Sequence, residues 1–479
     1  MIQSLIHTTE NNNLYIYDDQ RRLSMLIHPE FRKAYENATD ANPYYLEKYE
    51  YLRKHGFFTE TKLVNFGALD ESMVKENIIQ TSLILFEVTD SCNLNCTYCG
   101  YGELYEVFDA RNHSKINIRY AKKFLRYIYE LKRKNNKRKL NIGFYGGEPL
   151  LNINFIKQII EFAHQLNAEK EMDIGYSMTT NATLIHKHID FLVANKFELL
   201  ISIDGNEENH SYRVFSKNKK NSFWKVIKNI DMLQKNYPEY FVNYVSFNAV
   251  LHNRNSVKSI YEFIYTRYHK IPEISELLLR DIRPEKKEIF DKMHHGRRKS
   301  EAEYQKDDSD KLPATHYVSL LYDELKDFLK HLSVNYYISN ITSLLHVEEE
   351  YFPTSTCLPF FLKFFLTNRN KLLPCERINH KYFLGKIDKD VMIDIPEITK
   401  QYNYYFNHFR KICQLCYAYR FCGVCMFQLE NIDKLGTEEF VCNQFYDQKA
   451  FEKKLHRIFS FLEKYPKDFF QILENVKAK

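Results

Sequence analysis

The chain has 479 residues, 44% hydrophobic and 27% charged, with 36 Tyr, 36 Phe and a single Trp, enough for two or three domains that each bury a core. Lys and Arg number 68 against 62 Asp and Glu, an excess of +6 that is too small over this length to mark a nucleic-acid binder. No apolar stretch nears the ~20 residues that span a bilayer, and "MIQSLIHTTENNN" lacks the charged-then-apolar order of a secretory signal. The expectation is a cytoplasmic protein with no nucleic-acid and no membrane partner. There thiols stay reduced, so its ten cysteines are better explained by metal than by disulfides.

In residues 1–75, "LYIYDD" and "RLSMLIH" read as a short hairpin, and "PEFRKAYEN" and "PYYLEKYEYLRKHG" as helices, together a small α+β domain. From 80 to 282, strand-like runs at 82–89, 140–147, 172–180, 198–205, 242–251 and 274–281 alternate with helical patterns such as "RYAKKFLRYIYELKRK" and "INFIKQIIEFAHQL". Strands alternating with helices predict a parallel sheet. Six units make the fold class α/β, a partial (β/α)6 TIM-like barrel with its working loops at the carboxyl ends of the strands. Residues 283–349 read as a charged insertion and bridging helix, the segment "IRPEKKEIFDKMHHGRRKSEAEYQKDDSDKLP" being a linker or surface insertion poor in core residues. A cysteine-rich region over 350–445 follows, then a helix over 446–479.

The cysteines are unevenly placed: three lie at 92–99, none at 100–356 and seven at 357–442. Two separate metal-binding regions follow from that distribution. The first, "CNLNCTYC" (Cys92, Cys96, Cys99), sits on the loop leaving the first barrel strand. A disulfide takes two thiols and a structural zinc usually four ligands. A 4Fe–4S cluster also takes four, so three cysteines leave one iron open to a small chelating molecule.

C-x3-C-x2-C with Tyr98 before the third cysteine, at the end of a first strand, resembles the radical S-adenosylmethionine (SAM) enzymes. Further segments resemble that family in order: "YGGEP" (145–149), "TTNATLI" (179–185), where Ala182 stands at a position more often glycine, and "SIDGNEENHSYR" (202–213). The resemblance implies that the open iron binds the amino and carboxylate groups of SAM and that an electron cleaves SAM to a hydrogen-abstracting 5′-deoxyadenosyl radical. It further implies that Gly146, Gly147 and Glu148 meet the SAM amino group, Ser202 the ribose and Arg213 the carboxylate, with Tyr98 and Asp204 among the cofactor-binding residues. Glycines allow close backbone approach, and a guanidinium fork suits a carboxylate.

The second region reads Cys357, Cys375, "CQLCYAYRFCGVC" (Cys413, Cys416, Cys422, Cys425) and Cys442. Out of context it would suggest zinc. After such a barrel it resembles the SPASM extension, which implies two auxiliary 4Fe–4S clusters, three in all. Carried over, Cys413, Cys416, Cys422 and Cys442 complete one cluster, and Cys357, Cys375 and Cys425 hold the other. Seven thiolates for eight positions leave a non-cysteine ligand or an open iron. The hairpin "LTNRNKLLPC" also lacks the family's usual glycine.

Enzymes of this architecture mostly modify peptides. The amino-terminal segment resembles the winged-helix-like element that captures a leader peptide by strand addition. The leading expectation is therefore a maturase that forms a thioether or carbon–carbon crosslink in a ribosomally made peptide carrying a leader, with flavodoxin or ferredoxin as electron donor. A formylglycine-forming sulfatase maturase is the second reading and a zinc-binding interaction protein the non-enzyme alternative. No residue is assigned a catalytic acid–base role.

Overall fold

The amino-terminal hairpin has a third strand. In the computed structural model, which describes residues 2–59, 63–106, 109–307, 320–334, 336 and 350–477, β1 (Leu5–Thr8) pairs antiparallel with β2 (Leu14–Asp18), and β2 with β3 (Leu23–Ile27). "LIHT" is short and carries one clear inward pair, which is why β1 does not stand out in the sequence. Two helices follow, α1 (Pro29–Tyr35) and α2 (Pro43–Lys54), each opened by a side-chain cap (His28, Asn42) and a proline in the first turn. Proline lacks an N–H where the helix has no use for one.

The described residues form two compact units, one from 1–68, 310–356 and 402–479, the other from 69–309 and 357–401. The sheet β1–β3 therefore does not stand alone within 1–75. Ile2, Leu5, Tyr17 and Phe66 share a core with Leu325, Phe328 and Leu332, with Tyr417 and Tyr419, and with Phe451, Leu455 and Ile458 of the helix Gln448–Lys464. That helix shows the apolar stripe of an amphipathic helix and lies against β1.

The second unit opens with α3 (Glu71–Gln80) and β4 (Leu83–Thr89), followed by α4 (Ile118–Lys134), β5 (Lys139–Gly146), α5 (Ile153–Leu166), β6 (Asp173–Thr180), α6 (Ile189–Ala194) and β7 (Glu198–Ser202). Then come α7 (Phe223–Asn236), α8 (Pro238–Tyr244), β8 (Val245–Val250), α9 (Val257–Tyr268) and β9 (Glu273–Ser275). Strands β4 to β9 pair in parallel and in chain order, the six-unit half-barrel expected. Ile84, Phe86, Ile142, Phe144, Leu199, Ile201 and Phe247 are fully buried or nearly so, as strands covered by helices require.

The sheet continues past β4. β10 (Phe364–Leu366) pairs with β4 in parallel, and β11 (Lys371–Leu373), β12 (Gly385–Ile387) and β13 (Val391–Ile393) extend it antiparallel to ten strands. The β10–β11 turn manages without glycine because Asn370 takes the left-handed conformation at φ +65°, which asparagine tolerates.

Residues 282–307 differ from a linker. They form α10 (Lys287–Met293) and α11 (Arg297–Asp307). Phe290 and Met293 are buried with Tyr98, Leu104, Tyr105 and Leu277. Two apolar residues in a charged run are enough to anchor α10, too few to register as a periodic face. Of the expected insertion, 308–319, 335 and 337–349 lie outside the described residues, as do 60–62, 107–108 and 478–479. No helix among the described residues is long and apolar enough to cross a membrane.

Candidate active site

The cysteine loop starts where β4 ends, and two glycines on the neighbouring strand make room for it. A Cβ on Gly147 would lie 2.0 Å from the Ser91 carbonyl oxygen, and one on Gly146, at φ +127°, 2.3 Å from that of Thr89. Their close approach is to the backbone that launches the cysteines: Gly147 N–H donates to Thr89 O at 2.8 Å and Glu148 N–H to Ser91 O at 2.9 Å.

Glu148, expected to meet the SAM amino group, is held by donors of its own chain. Its side chain is fully buried. Oε1 accepts from Thr180 Oγ1 at 2.8 Å and Leu150 N–H at 3.2 Å, and Oε2 accepts from Asn181 N–H at 2.8 Å. Burial pushes its carboxyl up to about 7 against those donors. Glu148 thus braces the end of β5 against residues 180–181. The next residue, Ala182, is fully buried at φ +60°, which explains in physical terms why glycine suits this position.

At the end of β7, Ser202 pairs in register with Asn248, and Asp204 gathers the other expected residues around itself. Arg213 donates Nε to its Oδ2 at 2.9 Å and Nη2 to its Oδ1 at 3.1 Å. Val250 N–H donates to Oδ1 at 3.0 Å, and the Tyr98 hydroxyl donates to Oδ2. Burial alone would raise the Asp204 carboxyl, but the Arg213 charge and the hydrogen bonds from His252 and Arg213 together outweigh it and hold Asp204 well below the usual carboxylate range. Tyr98 stacks on His252, centroids 5.5 Å apart, with the Arg213 guanidinium 5.5 Å from its ring centroid. His252, buried and 3.8 Å from Asp204, has no motif around it and was not legible beforehand.

The sulfurs of Cys92 and Cys99 are met by donors. Cys92 Sγ accepts from Leu94 N–H at 3.4 Å and from Asn181 Nδ2 at 3.6 Å, and Cys99 Sγ from Arg111 Nη2 at 3.3 Å. Burial pushes the Cys92 thiol up to about 11 and Cys96 to about 12, so these thiols become thiolates only when a cation replaces the proton. Donors aimed at sulfur in a loop of three half-buried cysteines fit a 4Fe–4S cluster, whose thiolates carry negative charge.

In the first unit, Cys413, Cys416, Cys422 and Cys442 line one apolar pocket with Phe66, Phe409 and Tyr419. Cys413 ends the helix Ile395–Cys413, and Cys416 Sγ accepts from Tyr446 N–H at 3.4 Å. Burial pushes Cys413 up to about 12 and Cys422 to about 11. Among the described residues, no three His, Cys, Asp or Glu side chains converge on one point as ligands of a single ion. Cys357 and Cys375 belong to the second unit and Cys425 to the first. Cys375 Sγ accepts from Arg377 N–H at 3.3 Å.

Residues 86–264 match the model of the radical SAM superfamily. The cysteine-type anaerobic sulfatase-maturating enzyme of Clostridium novyi (strain NT) is 24% identical over 391 residues, 79% of this chain and 96% of that enzyme. The radical SAM cyclopropyl synthase TigE of Paramaledivibacter caminithermalis is 28% identical over 252 residues, 51% of this chain and 47% of TigE. A solved structure of native anSMEcpe with bound AdoMet and Cp18Cys peptide superposes with a TM-score of 0.52 at 21% identity, covering 83% of this chain and 99% of that one. That last likeness is one of fold.

Proposed function

We propose that this chain, an enzyme carrying a radical SAM domain, modifies a cysteine-containing peptide held through a leader, and forms a thioether or carbon–carbon crosslink. The observation that carries the reading is the three-stranded antiparallel sheet β1–β3 followed by α1 and α2. β3 is the last strand of the order β1–β2–β3; the Arg22 carbonyl before it accepts from Val334 N–H at 2.9 Å, and an extended peptide would add along the edge near Leu26. Leu26 on β3, 63% exposed, offers an apolar contact beside that edge.

Cys92, Cys96 and Cys99 would hold a 4Fe–4S cluster, and SAM would bind beside it. Together they supply, when bound, hydrogen abstraction from an unactivated carbon. The chain's own residues do the positioning. Arg213, fixed by Asp204, meets the SAM carboxylate. Ser202 at the end of β7 meets the ribose, and the glycine pair seats the cysteine loop. Cys413, Cys416, Cys422 and Cys442 would hold an auxiliary cluster.

Formylglycine formation is a second reading, favoured by the likeness that runs over 96% of a sulfatase-maturating relative. The products separate the two. Mass spectrometry of a cysteine-containing precursor peptide treated with enzyme, SAM and dithionite should show loss of two hydrogens with sulfur retained. Loss of the cysteine sulfur, or turnover only on a short sulfatase-type peptide, would support formylglycine formation instead.

A further inference from the structure

Cys92 and Cys99 are not treated alike by their surroundings. The donors on Cys92, Leu94 N–H and the Asn181 amide, are neutral. The donor on Cys99 is a guanidinium, Arg111 Nη2 at 3.3 Å. The same guanidinium lies over the Tyr101 ring, 5.0 Å from its centroid. Arg111 stands 12 residues past Cys99 in "FDARNHSK", a stretch with no motif.

The segment carrying Arg111 is pinned on both sides. Ala110 O accepts from Arg369 Nη2 at 2.7 Å, and Asn112 N–H donates to Asp90 Oδ2 at 3.1 Å. Asp109 takes Lys371 Nζ at 2.9 Å and faces His380 Nδ1 at 3.0 Å. Ser114 Oγ donates to Asp90 Oδ2 at 3.1 Å, and Thr89 Oγ1 to Ser114 O at 2.7 Å. With its neighbours fixed and its plane laid on an aromatic ring, the guanidinium is held on the sulfur. A planar, preorganised donor loses little freedom in making that bond.

We propose that Arg111 is a positioning residue that raises the reduction potential of the cluster held by Cys92, Cys96 and Cys99, by donating a charged hydrogen bond to the Cys99 sulfur. The proposal rests on the reading of those three cysteines as cluster ligands. Reduction brings in one electron from an external one-electron donor such as a reduced flavoprotein. No proton moves and no protein bond breaks, so the site becomes more negative by one charge. A fixed cation beside a ligand sulfur favours the more negative state, and hydrogen bonds to ligand sulfurs are a recognised control on such potentials. A charged donor acts about twice as strongly as a neutral one. Cys99 is therefore the corner through which this chain makes electron entry easier.

The test is an EPR-monitored potential titration of the full-length holoenzyme, following the signal that changes when SAM is added, in wild type, Arg111→Lys, Arg111→Gln and Arg111→Leu. Arg111→Leu and Arg111→Gln should lower the midpoint. For Leu the expected change is about tenfold in the reduced-to-oxidised ratio at fixed potential, or about 59 mV for a one-electron couple. Arg111→Lys, which keeps the charge, should stay near wild type. Iron and sulfide content are measured alongside, and if the Leu variant fails to keep the cluster the Lys and Gln pair decides. An unchanged midpoint in Arg111→Gln at full iron content, or equal falls in Lys and Gln, would overturn the proposal. A wild-type protein without any SAM-responsive signal would overturn the cysteine reading itself, and the proposal with it.

Discussion

Asp204 grips Arg213 with both carboxylate oxygens, at 2.9 Å and 3.1 Å, and both side chains are buried. The pair lies behind Tyr98 of the cysteine loop, so the arginine is aimed before any ligand arrives. Asp204→Asn should weaken SAM binding as Arg213→Ala does, because it loosens the hold on the Arg213 guanidinium. It should also cost about 3–5 kcal/mol of stability, since it leaves a buried cation uncompensated, and Asp204→Asn/Arg213→Gln should recover part of that loss. Equilibrium dialysis and thermal unfolding check both. Normal SAM affinity in Asp204→Asn would remove Asp204 from the account.

Ala182 sits fully buried with φ +60° between Asn181, which touches Cys92, and Thr183. A left-handed conformation costs an L-residue roughly 1–2 kcal/mol, and a β-branched side chain fits it worst. Ala182→Gly should be close to neutral, because relief of backbone strain offsets the lost methyl. Ala182→Val should cost more than about 2 kcal/mol by thermal melting. Equal stability of the glycine and valine variants would contradict the backbone argument.

The strand–helix alternation made β4 to β8 readable because each run is five residues or longer and bounded by helical periodicity, whereas β9 spans only Glu273–Ser275 of a run expected to reach 281. β1 and the three-residue strands β12 and β13 were not, since so few residues carry no pattern and pairing alone defines them. The cysteines were legible because their spacing is local. Arg111, His252 and the bracing role of Glu148 were not, because contacts across 12 to 106 positions, such as Arg111 on Cys99 and Tyr98 on Asp204, are set by the fold. The amino-terminal segment read as separate because its hydrophobic positions were visible and their partners, from 256 positions away (Phe66 to Tyr322) to 470 (Ile2 to Ile472), were not.

That shared core changes how the leader reading is tested. Removing residues 1–75 would strip Ile2, Leu5, Tyr17 and Phe66 from the core formed with Phe451 and Ile458, so a surface change is the better probe. Leu26→Asp places a charge on an exposed β3 side chain and should leave the melting temperature within error. Fluorescence anisotropy with a labelled full-length precursor peptide should show weaker binding, and leaderless peptide should bind no differently. Unchanged affinity for the full-length peptide would argue against β3 as the docking edge.

His7 on β1 gives the first unit a pH limit. Burial among Tyr15 and Phe459, with His456 adding repulsion and Glu463 opposing, lowers its pKa to about 4. Among the described residues, neither ring nitrogen has a hydrogen-bond partner. The unfolded chain takes the proton first, so this stability is present above about 6.5 and is lost as pH falls toward 4, by up to about 3 kcal/mol. His7→Phe should shrink the fall in melting temperature between about pH 7.5 and 5. An identical fall in both proteins would place the acid sensitivity elsewhere.

The most direct measurement uses a cysteine-containing precursor peptide built from deuterated amino acids, incubated anaerobically with the reconstituted enzyme, SAM and dithionite. The account predicts 5′-deoxyadenosine that carries deuterium from the peptide, a peptide that has lost two hydrogens and kept its sulfur, and neither product with the Cys92→Ala/Cys96→Ala/Cys99→Ala variant. Unlabelled 5′-deoxyadenosine beside an unchanged peptide, or the same products from the triple variant, would contradict it.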